Sequence, residues 1–179
     1  MDSERRQEPR TRNEYKKRGQ ALNKTYEGGA QPEIAPRRIK DKVRRKRVPV
    51  QDLARSAIDA ILTKKGRDIL VLDVHDVSGM ADIFILVTGD SELQIKAIFN
   101  SVRSELHEEL EERPWHVEGI EHLQWVLLDY VDLVVHIFNE EKRSYYSLER
   151  LWGDAPKEAV PESGSGDSVD LLGQFGNTR

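Results

Sequence analysis

The sequence predicts an α/β fold: a single compact domain with a mixed sheet of about five strands and helices packed mainly on one face. Three observations predict it. Apolar residues recur at spacings of three and four from Val50 to Leu62 and from Ile95 to Leu110, marking two amphipathic helices. Four short runs rich in branched side chains, Ile69–Val74, Ile83–Thr88, Trp125–Tyr130 and Leu133–Phe138, have the length and makeup of strands. The order helix, two strands, helix, short strand, strand pair, helix alternates too rarely for a doubly wound sheet.

Order is expected to begin at Pro49. The first helix puts Val50, Leu53, Ala54, Ala57, Ile58, Ile61 and Leu62 on one face, and Lys64, Lys65 and Gly66 supply cations for its end and a residue able to take positive φ. Asp76, Ser78 and Gly79 form the turn between the first two strands. Ser91 with Gln94 three residues on makes a capping box for the long helix, which Pro114 stops. A short extended stretch, Trp115–Glu118, precedes Gly119 and the strand pair. The last helix is predicted from Glu140 to Trp152, with Tyr145, Leu148 and Trp152 at helical spacing.

The two ends differ in composition from the middle. Residues 1–48 hold 16 Lys/Arg against 7 Asp/Glu and few large apolar side chains, too few to offset the entropy of ordering, so a disordered basic tail is expected. Residues 157–179, with the linker-like ESGSGDS, are likewise expected to be a disordered tail, leaving 49–156 as the folded domain. Residues 49–179 carry 12 Lys/Arg against 25 Asp/Glu, so the body is as acidic as the tail is basic.

Composition excludes several classes. There is no cysteine, hence no disulfide, thiolate metal site or thiol nucleophile. The five histidines do not cluster as ligands, and no metal or cofactor is expected. No apolar run reaches the roughly 18 residues that span a bilayer, the N-terminus lacks an apolar signal region, and Asp2, Glu4, Glu8 and Glu14 are foreign to a transit peptide. The expectation is a soluble cytoplasmic protein with no membrane contact.

Three segments in order carry a resemblance: ADIFILVTGDSELQIKAI (Ala81–Ile98), VEG (Val117–Gly119) with WVLLDYVDLVVHIF (Trp125–Phe138), and EEKRSYYSLERLWGDAP (Glu140–Pro156). Together they resemble the ribosomal silencing factors, the bacterial Iojap family, over roughly residues 50–156. The resemblance implies a nucleotidyltransferase-like topology without catalytic residues. It also implies binding to the large ribosomal subunit at its intersubunit face, through the fourteenth protein of the large-subunit series. By the same resemblance, the bulk of the bound factor would keep the small subunit off and repress translation. One position departs: the family has Gly where this chain has Val131, and a β-branched residue disfavours positive φ, so the hairpin turn is expected to differ.

Strand alternation puts Trp125, Leu127 and Asp129 on one face and Val126, Leu128 and Tyr130 on the other. A lone Trp usually packs in a core, but its facemate Asp129 argues against a dry site, and the resemblance makes Trp125 an interface anchor. The partner-binding candidates are Trp125, Asp129, Tyr130, Asp132, His136, Phe138, Glu140, Glu141, Tyr145 and Tyr146. Adjacent Tyr145 and Tyr146 point about 100° apart on a helix, so one is expected to pack inward and the other to stay available. A tail segment, Arg37, Arg38, Lys40, Lys42, Arg44, Arg45, Lys46 and Arg47, is a candidate for contact with ribosomal RNA through counterion release.

Two other functional classes fit the sequence less well. A metal-dependent nucleotidyltransferase needs two acids on one strand face close after a Gly-Ser turn. Here Asp129 and Asp132 are three apart and lie a long helix away from Gly89 and Ser91. The Gly89-Asp90-Ser91 turn could hold phosphate, but Asp90 would repel it. A general RNA-binding protein conflicts with the acidic body. A non-enzymatic translation repressor is the favoured reading, with its oligomeric state left open between monomer and homo-oligomer.

Overall fold

The computed structural model describes residues 47–175. Residues 1–46 of the predicted N-terminal tail, and with them Arg37 to Lys46, lie outside the described residues, while Arg47 and Val48 at its end are described. The elements are α1 (Val50–Thr63), β1 (Arg67–Asp73), α2 (His75–Ser78), β2 (Ile83–Thr88), α3 (Glu92–Leu110), β3 (His116–Glu118), β4 (Trp125–Asp129), β5 (Leu133–Phe138), α4 (Glu140–Tyr146), α5 (Leu148–Leu151), β6 (Lys157–Val160), a 3₁₀ turn (Gly166–Ser168) and α6 (Asp170–Gln174). The sheet has six strands in the order β3-β4-β5-β2-β1-β6. It is mixed, because β2 and β5 run parallel while the other neighbours are antiparallel.

Both central strands, β2 and β5, are buried along their whole length, which explains why they read as continuous apolar runs. One sheet face meets α1, α3 and α6 in the larger core, built around Ile58, Ile61, Ile95, Ile98, Leu106, Ile85, Ile137 and Leu172. The other face carries a smaller cluster of Leu72, Phe84, Leu86, Val134 and Phe138, with Trp125, Leu127, Leu148 and Trp152 packed on it. The two long helices therefore share one face, and short segments partly cover the other.

Several boundaries differ from the sequence expectation. Order does not stop at Pro156: β6 pairs with β1, and Leu171, Leu172 and Phe175 enter the larger core. The Glu158 carboxylate accepts hydrogen bonds from the Asp170 and Leu171 amides and so caps α6. The predicted last helix breaks at Ser147, whose φ of 43° separates α4 from α5. At the end of α1 it is Lys65 that takes positive φ, at 57°. Gly66 is needed for space instead, since a Cβ there would meet Ile61 Cγ2 at 2.5 Å and Val87 Cγ2 at 2.6 Å. The α3 helix ends before Pro114, through Glu111 at φ 57°.

The Ser91 cap forms as the spacing predicts, with Oγ accepting from the Gln94 amide at 3.2 Å. Gln94 does not close the reciprocal half of the box. Its Oε1 accepts from the Asp90 amide at 2.7 Å, and its Nε2 donates to the Lys64 and Lys65 carbonyls at 3.0 and 2.8 Å. One side chain thus satisfies backbone groups at the start of α3 and the end of α1 together.

Candidate functional site: an aromatic platform on the open sheet face

The candidate residues of β4 and β5 divide between the two sheet faces. Trp125 pairs across the ladder with Phe138, Leu127 with His136 and Asp129 with Val134, so these side chains share the face away from the long helices. Tyr130 falls on the opposite side. It is 7% exposed within the larger core, its hydroxyl has no hydrogen-bond partner among the described residues, and burial raises its pKa. That placement removes Tyr130 from the candidate surface, for the reason strand alternation already gave.

Phe138 and His136 lie in the floor of the open face rather than on its surface, at 1% and 5% exposure. Trp125 stacks on Phe138 with ring centroids 5.0 Å apart and an interplanar angle of 24°. Its indole N–H donates to His136 Nδ1 at 3.3 Å, which requires that nitrogen to be unprotonated. Phe84 meets the His136 ring at 82° from the far side. Burial in this aromatic setting lowers the His136 pKa to about 4, so the ring is neutral at physiological pH.

The α4 helix builds upward from this floor. Asn139 caps it, accepting from the Lys142 amide at 2.8 Å, and the Asn139 amide donates to the Gln124 carbonyl just before β4. That places Tyr146 over Trp125, with centroids 4.6 Å apart, and Tyr145 at right angles to Tyr146 at 5.1 Å. Neither tyrosine packs fully inward as the helical spacing led one to expect: Tyr146 lies against Trp125 yet is 45% exposed, and Tyr145 is 79% exposed. Glu140 and Glu141 stand exposed in the first turn of α4.

The two aspartates are occupied by local structure. Asp129 Oδ1 accepts from the Val131 amide at 2.7 Å, and Asp132 pairs with Arg47 at 2.6 Å. Between them Val131 has φ 76°, and the Asp132 amide donates to the Tyr130 carbonyl, the geometry of a γ-turn. The turn therefore keeps the positive φ that a glycine would suit, and Val131 adopts it. At the Gly89–Ser91 turn, Asp90 bonds the Arg67 guanidinium, through Nε at 2.7 Å. That partner lowers the Asp90 pKa. The turn is thus filled by its own chain. Among the described residues no group of three or more His, Asp and Glu could hold a metal ion, and no helix is long and apolar enough to cross a membrane.

Sequence reasoning missed Arg143 and Leu151. Arg143 reads as one more solvated helical charge, yet its side chain is only 12% exposed. Leu151, at the end of α5 beyond the break at Ser147, is 68% exposed despite its apolar side chain. The αL residue at 147 is a serine, so no glycine marked the break.

Known proteins share this chain's pattern. The profile of the family described as "Ribosomal silencing factor during starvation" matches residues 48–171. The ribosomal silencing factor of Halalkalibacterium halodurans is 40% identical over 106 residues, which cover 59% of this chain and 90% of that protein. The Bacillus subtilis factor is 42% identical over 94 residues, covering 52% and 78%. The chloroplastic Iojap protein of Zea mays is 33% identical over 100 residues, covering 54% of this chain and 42% of its own length. A crystal structure of a Chromobacterium violaceum protein superposes with TM-score 0.57 at 39% identity, over 59% of this chain and 88% of the other. With the profile spanning well over half of its length, the chain belongs to the ribosomal silencing factor family.

Proposed function

We propose that this protein is a non-enzymatic repressor of translation that docks on the large ribosomal subunit through the open sheet face and blocks small-subunit joining by its bulk. The observation that carries the proposal is the surface cluster of Tyr145, Tyr146 and Trp125, backed by buried Phe138 and His136, in a member of a ribosomal silencing family. Aromatic side chains held rigidly on a buried floor lose little entropy on binding and make strong anchors. Exposed Glu140 and Glu141, with Asp129 at the other end of β4, give the platform an acidic rim suited to a basic partner, and charge complementarity of that kind orients the encounter. The partner implied by the family resemblance is the fourteenth protein of the large-subunit series. An interface of about 800 Å² per partner is enough for specific binding.

Sucrose-gradient sedimentation tests this. The full chain should sediment with purified large subunits and, when added before mixing, reduce the joined ribosome peak. Trp125→Ala should weaken large-subunit binding by about 2 kcal/mol or more, roughly thirtyfold. Unimpaired subunit joining at saturating protein would refute the repressor reading.

A further inference from the structure

Resting on the docking surface proposed above, we propose that Arg143 is its positioning residue: it ties α4 to β1, β2 and α5 and thereby fixes where Tyr146 stands on Trp125. The α4 helix has seven residues and none of them is buried. A helix that short is not stable alone, so its place must come from tertiary bonds. At its start, the Asn139 cap and the bond to Gln124 hold the first turn.

Beyond that turn the anchor is the Arg143 guanidinium. Its Nε donates to Glu149 Oε1 at 3.1 Å, on α5. Its Nη1 donates to the Asp68 carbonyl at 2.6 Å and to Thr88 Oγ1 at 2.8 Å. Thr88 ends β2 and is wholly buried, and Asp68 sits in the irregular start of β1, where the register shifts. Two strands distant in sequence, and the neighbouring α5, therefore converge on one planar cation, through charge-assisted bonds that only a fork of donors can make together. Tyr146 lies three residues after Arg143, one turn along the same side of the helix. Displacing α4 at Arg143, its middle residue, moves Tyr146 off the indole.

The test is a double-mutant cycle on the full chain with purified large ribosomal subunits as the probe. Arg143→Gln and Tyr146→Ala are each expected to weaken binding about tenfold, and the double variant also to stay near tenfold, because both changes remove one arranged contact. Arg143→Lys keeps the charge but loses the fork, and is expected to fall between wild type and Arg143→Gln. It also serves if Arg143→Gln fails to fold. In a Trp115→Phe/Trp152→Phe background, the remaining Trp125 should become more red-shifted and more readily quenched by acrylamide when Arg143 is changed. Wild-type binding by both Arg143 variants, independent losses that multiply to about a hundredfold, or an unmoved Trp125 spectrum would each overturn the role of Arg143. Wild-type binding by Tyr146→Ala would overturn the docking surface itself, and the role of Arg143 with it.

Discussion

Single positions show how much of this protein depends on one atom or one torsion. A Cβ at Gly119 would stand 1.8 Å from the Trp125 carbonyl oxygen, and φ there is 78°, so Gly119→Ala is expected to lose about 3 kcal/mol or more in urea denaturation. Val131 is the converse case: it holds φ 76° at a half-exposed turn, where Gly would relax the strain. Val131→Gly should therefore stabilise the protein by about 1 kcal/mol despite the added freedom of its unfolded chain. His136 makes stability depend on pH. Its folded pKa of about 4 lies below the unfolded value of roughly 6.5, so between these pH values the unfolded chain binds the proton and the folded chain does not. Stability should fall as pH drops through that window, by on the order of 3 kcal/mol in all, and level off below it. Urea titrations at pH 7, 5.5 and 4 on wild type and His136→Gln check this, the variant lacking that share of the slope.

Among the elements, the C-terminal strap from β6 to α6 departs most from the sequence expectation. Its composition resembles a linker because Gly and Ser fill close approaches rather than free coil: a Cβ at Gly166 would lie 2.4 Å from the Arg55 carbonyl oxygen, and the Gly166 amide donates to Asp59 on α1. Five residues of helix then bury Leu171 and Leu172 against the larger core. Leu172→Ala should cost about 3 kcal/mol by thermal or chemical denaturation, a loss no linker residue would show. The α4–α5 break is a second misreading at this scale. Tyr145, Leu148 and Trp152 keep helical spacing through Ser147, yet Ser147 takes φ 43° and the helix does not continue. Elements with long apolar periods or wholly buried runs, α1, α3, β2 and β5, appear where the sequence places them, because their pattern is set by a face that must be covered.

For the whole molecule, the acidic body and basic tail suggest a division of labour that remains a proposal: the platform selects the large subunit, and the Arg- and Lys-rich segment adds nonspecific contact with ribosomal RNA. Removing residues 1–46, which keeps Arg47 for its pair with Asp132, should flatten the dependence of large-subunit binding on salt, and an unchanged slope would count against the tail contact. The amino-acid pattern by itself determined the α/β class, the two long helices, the central strands and the split of β4 between two faces, since periodicity records which side of an element is buried. Three ordered motifs were enough to suggest the family. Tertiary structure alone decided that His136 and Phe138 form a floor under Trp125, that Tyr146 rather than Tyr145 covers the indole, and that the Arg143 side chain is largely covered. Each of these depends on which distant segment meets a side chain, and the spacing of residues along a chain does not encode that meeting.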